Sequence, residues 1–143
     1  MKIKIKRFDK TLPLPVHKTN GAVAADLYSR LDFTIKPKEI AYVPMNVAIE
    51  IPDGYFILQT ARSSTHKLGL MAINGVAIFD RDYCGDNDEY HFAAYNFTDK
   101  PVTIEKGTRL CQILLIKCDD FDFDEVDIMN NPSRGGFGTT GVK

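Results

Sequence analysis

The chain predicts an all-β fold, a barrel or jelly roll, with one short helix. Apolar and polar residues alternate with the two-residue period of half-buried strands, turn residues interrupt that alternation at short intervals, and helical periodicity is nearly absent. At 143 residues the chain has the length of one domain with a single core. It reads as a β-barrel over residues 1–130 followed by a flexible glycine-rich C-terminal arm over 131–143.

Taken in order, residues 2–8 set Ile3 and Ile5 against Lys4 and Lys6, a half-exposed strand. Leu12-Pro13-Leu14-Pro15 breaks the pattern. Asn20-Gly21 then leads into the small-residue run 22–29, where Asp26 is either a turn acid or a carboxylate beside a cation. Across 41–51, Ala41, Val43, Met45, Val47, Ile49 and Ile51 alternate with the intervening residues, predicting one long strand. Pro44 and Pro52 lack the ladder N–H, so that strand lies at an edge or bends there. Asp53-Gly54 predicts a hairpin into a strand at 55–60.

Residues 61–69 are the one place for a short helix, capped by Ser63 or Ser64 and ended by Gly69. Its start, with Arg62 and two hydroxyls, suits phosphate; the plainer reading is a capped turn with a solvated arginine. Residues 74–85 read as a tight β-hairpin in which Gly75 permits the turn and a buried apolar strand, 76–79, presents Asp80 and Asp82 at its end. Tyr83 could floor a pocket for a flat ring, unless this is an ordinary hairpin with solvated acids.

Asp86-Asn87-Asp88-Glu89 reads as an acidic loop, 90–97 as a strand closing with Asn96, and Asp99-Lys100-Pro101 as a turn. Lys106-Gly107 separates a short strand from 108–117, which looks buried on both faces. Gln112 inside that run needs a partner, backbone or ligand. Residues 119–125 alternate acids with Phe121 and Phe123, predicting an edge strand whose charges discourage aggregation. In the arm, four glycines in 131–141 accompany Arg134, Phe137, Thr139 and Thr140. They read as a tail, or as a segment folding over a ligand with Phe137 on a flat ring and Arg134 on phosphate.

Eighteen basic against nineteen acidic residues give a net charge of -1, without the positive field of a nucleic-acid binder. No apolar run approaches the ~20 residues of a membrane span, and the N-terminus has no signal-peptide core. The expectation is a soluble cytoplasmic protein, or one inside a host cell if phage-encoded. Cys84, Cys111 and Cys118, an odd count without a paired motif, read as reduced thiols. Neither a zinc-ligand spacing with His17, His66 or His91, nor a zinc-deaminase signature, nor a Gly-x-Ser-x-Gly elbow for a hydrolase using Ser63 or Ser64, His66 and Asp80 is present.

Five stretches, in order, resemble the motifs of the trimeric dUTP pyrophosphatase (dUTPase) family. They are Ala24-Ala25-Asp26-Leu27-Tyr28, Arg62-Ser63-Ser64, Asn74-Gly75-Val76 through Cys84-Gly85, Gly107-Thr108-Arg109-Leu110-Cys111-Gln112, and Arg134-Gly135-Gly136-Phe137-Gly138-Thr139-Thr140-Gly141. The resemblance implies a jelly-roll-like distorted barrel of the β-clip kind and a homotrimer with shared active sites. It also implies a Mg2+ cofactor and hydrolysis of dUTP to dUMP and pyrophosphate, which lowers dUTP and supplies the precursor of dTMP.

By position, the resemblance implies that Asp80 orients and deprotonates the attacking water. Asn74, the backbone at Ile78 and Phe79, and His91 read uracil, and Tyr83 underlies the deoxyribose and crowds out a 2'-hydroxyl. Arg62, Ser63, Ser64 and Gln112 contact phosphate, and Asp26 holds the metal through water. Arg134 grips the terminal phosphate and Phe137 covers the base, with Gly138 and Thr139 beside them. The sequence departs from the pattern at Ala25, at Cys111 and in the long loop 86–89. The dCTP deaminases, which share the fold, are the nearest enzymatic rival. A non-catalytic trimeric binding module is the alternative of another class.

Overall fold

A computed structural model describes residues 1–137 and 139. Eleven strands form β1 Ile5–Arg7, β2 Ala25–Tyr28, β3 Phe33–Ile35, β4 Ile40–Pro44, β5 Val47–Ile49, β6 Tyr55–Ala61, β7 Leu70–Ala72, β8 Val76–Phe79, β9 His91–Asn96, β10 Val102–Ile104 and β11 Arg109–Lys117. One 3-10 turn, Thr65–Leu68, is the only helix among the described residues. The strands build a four-stranded sheet β2-β11-β6-β8, a three-stranded sheet β4-β9-β7 and the pairs β1-β5 and β3-β10, with every pairing antiparallel. The all-β, jelly-roll-like expectation holds. No helix among the described residues is long and apolar enough to cross a membrane.

The core gathers one face of each sheet, with Leu27, Ile35, Val43, Met45, Phe92, Ile104 and Leu110 almost entirely buried. Removing that apolar surface from water, at about 25 cal/mol per Å2, is the main force holding the sheets face to face.

Several sequence expectations are corrected. The long strand predicted over 41–51 is two strands in different sheets: β4 pairs with β9, and β5 pairs with β1. Between them Asn46 turns the corner with φ 70°, a left-handed conformation that asparagine tolerates. Its buried side chain closes the corner, accepting from the Asp9 amide at 2.7 Å and donating to the Asp9 carbonyl at 3.0 Å. Asp9 in turn holds Thr11 and Lys106, and these partners keep its carboxyl well below the usual carboxylate range.

Because β5 leaves for β1, the turn at Asp53-Gly54 does not make a hairpin. β6 instead pairs with β11 and β8. The turn at Asn74-Gly75 is real, with Gly75 at φ 70°, yet it joins β7 and β8 of two different sheets rather than the arms of one hairpin. β8 is not buried: it is an edge strand, with Val76 45% and Ile78 63% exposed. In β11 only Leu110 and Cys111 are fully buried, and residues 112–116 are half-buried. Residues 118–130 form no strand, and Phe121 and Phe123 are exposed: the alternating run pairs with no strand among the described residues.

Candidate active site

The 3-10 turn ends at Gly69 with φ 81°, where the sequence stops it, but Ser64 at its start makes no side-chain cap. Thr65 does the local work: its hydroxyl accepts the Arg62 amide at 3.0 Å and donates to the Leu110 carbonyl at 2.6 Å. That carbonyl is available because β11 bulges between Arg109 and Cys111 against β2. The bulge also brings Arg109 alongside Asp26. Asp26 accepts Arg62 Nε on one oxygen at 3.0 Å and Arg109 Nη1 on the other at 2.9 Å, with only 13% of its side chain exposed. Two guanidinium groups on one carboxylate leave a net positive charge, a local site for an anion.

Asp26 is thus not a turn acid, and the cationic groups beside it are the guanidinium groups of Arg62 and Arg109. Gln112 stands opposite it in the β2–β11 register and donates to the Ala61 carbonyl at 3.2 Å, the backbone alternative for that residue. Ser63 is exposed and Ser64 half-buried beside this cluster. Burial pushes the Cys111 thiol well up, so it is an inert core residue.

The second half of the site is a cleft of about 450 Å3 lined by Tyr42, Asn74, Ala77, Phe79, Tyr83, His91 and Ala93, within the range of roughly 300–1,000 Å3 usual for small-molecule pockets. Its wall is a stack of aromatic rings. Phe79 lies on Tyr90 with centroids 3.7 Å apart and planes 5° apart, and Tyr83 flanks both at 6.1 and 6.2 Å. Ile78, alternating with Ala77 and Phe79, turns its side chain away, so only its backbone can serve the cleft. As an edge strand, β8 has N–H and C=O groups along one side without a strand partner, the groups that can read a planar heterocycle.

Asp80 follows at the end of β8 and lines an adjoining polar recess with Arg81 and Asp82. Arg81 is committed elsewhere, to Asp120 at 3.1 Å and Asp53 at 3.7 Å. Asp80 is exposed.

Asp80 and Arg62 stand apart within one protomer: Phe79, next to Asp80, pairs with Ile57, five residues before Arg62, about 17 Å at the rise of a strand. His66 is likewise exposed at the far end from Asp80, so a serine-hydrolase triad does not form. Arg134, Phe137 and Thr139 are exposed, and Gly138 lies outside the described residues.

The donor set bears on a metal. No group of three or more His, Cys, Asp or Glu side chains capable of holding an ion occurs among the described residues. Asp26 is a single carboxylate already bonded to two arginines. Such a set fits Mg2+ that keeps its waters and takes its inner ligands from substrate phosphates, rather than a resident ion caged by protein.

The dUTPase family model matches residues 10–141. The chain belongs to the dUTPase family. An SPbeta prophage-derived deoxyuridine 5'-triphosphate nucleotidohydrolase of Bacillus subtilis is 40% identical, covering 100% of both chains. Among solved structures, a dUTPase from Streptococcus mutans superposes with TM-score 0.76 at 27% identity, covering 83% of this chain and 98% of that one. The dUTPase of Staphylococcus bacteriophage 80alpha with dUPNHPP reaches TM-score 0.85 at 22% identity over 99% of each chain, a likeness of fold.

Sequence reasoning missed four participants in this dUTPase-family site. Arg109 was visible inside the fourth motif but carried no role until the bulge put it on Asp26. Tyr42 reaches the cleft from β4 and Tyr90 backs it from the loop before β9, with no local pattern to mark them. Glu89, read as part of an acidic loop, is buried on Arg30.

Proposed function

We propose that this chain hydrolyses dUTP to dUMP and pyrophosphate, lowering dUTP and supplying the precursor of dTMP. The observation that carries the reading is Asp80 at the end of an edge strand, directly beside an aromatic cleft of nucleoside size. Uracil lies against Phe79, read by Asn74, the backbone of Ile78 and Phe79, and His91. Backbone N–H and C=O groups match its lactam edge and reject the amino group of cytosine. Tyr83 supports the deoxyribose and crowds a 2'-hydroxyl.

Asp80 accepts a proton from a water whose oxygen attacks the α-phosphorus; the bond to the bridging oxygen breaks and pyrophosphate leaves. Arg62, Ser63, Ser64 and Gln112 bind phosphate oxygens, and Arg109 adds a second guanidinium to that set. Asp26 would hold Mg2+ through water, and the ion would supply neutralisation of the phosphate charge that repels the nucleophile. The ~17 Å between the Asp80 end of β8 and Arg62 within one protomer supports a homotrimer whose sites combine Asp80 of one copy with Arg62 and Asp26 of another. The arm, with Arg134, Phe137, Gly138 and Thr139, closes over the bound nucleotide.

A dCTP deaminase would need a glutamate at the cleft to activate water on the cytosine ring. No glutamate lines it, and the carboxylate of nearby Glu89 is occupied by Arg30 and the Asn46 amide. The Asp80→Asn variant tests the mechanism: it is expected to bind a non-hydrolysable dUTP analogue normally while turnover falls ~100-fold or more. Turnover within a few-fold of the parent would refute Asp80 as the base.

A further inference from the structure

Glu89 is buried, 5% exposed, and is the hub of a hydrogen-bond network that ends on two walls of the cleft. Its carboxylate takes Arg30 in a two-pronged bond, Nε to Oε1 at 2.8 Å and Nη2 to Oε2 at 2.9 Å, and Oε1 also accepts the Asn46 amide at 2.9 Å. Both carboxylate oxygens are thereby engaged, and Arg30 is fixed in turn by its own amide on the Pro44 carbonyl at 2.9 Å. Planar two-point pairing of this kind fixes orientation as well as distance.

The main-chain carbonyl of the same residue faces the other way. It accepts the Tyr83 hydroxyl at 3.2 Å and meets His91 Nδ1 at 2.8 Å. A carbonyl only accepts, so His91 carries its proton on Nδ1, and in the neutral ring Nε2 is left as an acceptor. The next residue, Tyr90, stacks on Phe79. Two consecutive residues, Glu89 and Tyr90, therefore set the positions of Tyr83, His91 and Phe79, and the Arg30–Glu89 pair pins the first of the two.

We propose that Glu89, held by Arg30, is a positioning residue for sugar selection. By fixing the carbonyl that receives the Tyr83 hydroxyl, it sets the height of the ring under the deoxyribose and so the space denied to a 2'-hydroxyl. The proposal rests on the dUTP reading above. Glu89 itself touches no substrate, and its effect passes through Tyr83.

Glu89→Gln keeps an oxygen for the Asn46 amide but sets an amide NH2 against Arg30, and Arg30→Lys loses the fork while keeping the charge. Tyr83→Phe removes the hydroxyl from the Glu89 carbonyl and leaves the ring. For each variant, kcat and KM are measured with dUTP and with UTP, and urea midpoints are taken in parallel. The expected result is that the dUTP:UTP ratio of kcat/KM falls about tenfold, with KM for dUTP rising more than kcat falls. In the Glu89→Gln/Tyr83→Phe double variant the two losses should not add.

A lowered urea midpoint with an unchanged dUTP:UTP ratio would mean that the pair is structural only and would overturn the proposal. If Glu89→Gln does not fold, Tyr83→Phe decides alone, and an unchanged ratio in it overturns the proposal equally. A parent protein that turns over neither nucleotide would refute the dUTP reading itself, an outcome distinct from an active parent with unshifted variants.

Discussion

Tyr90 offers a quantitative check on the packing behind the cleft. Its side chain is fully buried against Phe79, its hydroxyl has no hydrogen-bond partner among the described residues, and burial pushes its phenol well above the ordinary value. A buried polar group without a partner costs about 1–3 kcal/mol. Tyr90→Phe deletes that group and keeps the stacked ring. The void left by one oxygen offsets part of the gain, so the net expectation is stabilisation by about 1 kcal/mol, or a melting temperature raised by roughly 2–4 °C at this chain length. Urea and thermal unfolding at one fixed protein concentration measure it, since assembly contributes to stability. Tyr90→Leu, which removes the stacking as well, should instead be destabilised. A loss exceeding about 1 kcal/mol in Tyr90→Phe would refute the reasoning by showing that the hydroxyl is satisfied in solution.

Two further outcomes follow from other parts of the molecule. Asp9 has a folded-state pKa depressed below its ordinary 3.8, chiefly by Lys106 and Thr11. The stability it contributes is therefore complete above 3.8 and is lost as pH falls below that value; unfolding midpoints of Asp9→Asn measured from pH 5 to pH 2 should show a shallower acid decline than the parent, and identical slopes would contradict this. Truncation after Asn131 should leave the circular dichroism and sedimentation of the parent intact while turnover drops by an order of magnitude or more, and full activity in the truncated chain would show that the arm is only a tail.

The turn chemistry was legible because it is local: Gly54, Gly69, Gly75 and Gly107 each stand at positive φ where the sequence breaks its alternation. Which strands those turns connect was not. The period-two pattern of 41–51 runs straight through the corner at Asn46, since Val43 and Met45 before it and Val47 and Ile49 after it all enter the same core. The run 119–125 has the composition of a strand, but a strand exists only with a partner edge, and this run pairs with none among the described residues. In the candidate site, Asp26, Arg62 and Gln112 were marked by their motifs. Arg109 depended on a bulge, and the Arg30–Glu89 pair joins residues 59 positions apart. Such long-range pairings leave no periodic trace, so an acid in a run of acids looked solvated when it was buried.

Initial rates of pyrophosphate and ammonia release from dUTP, dCTP, dTTP and UTP, each with Mg2+, separate dUTP hydrolysis from its rivals. Pyrophosphate from dUTP is expected far above that from the other three, with no ammonia from dCTP. Ammonia from dCTP, or equal pyrophosphate release from dUTP and dTTP, would contradict the dUTP reading.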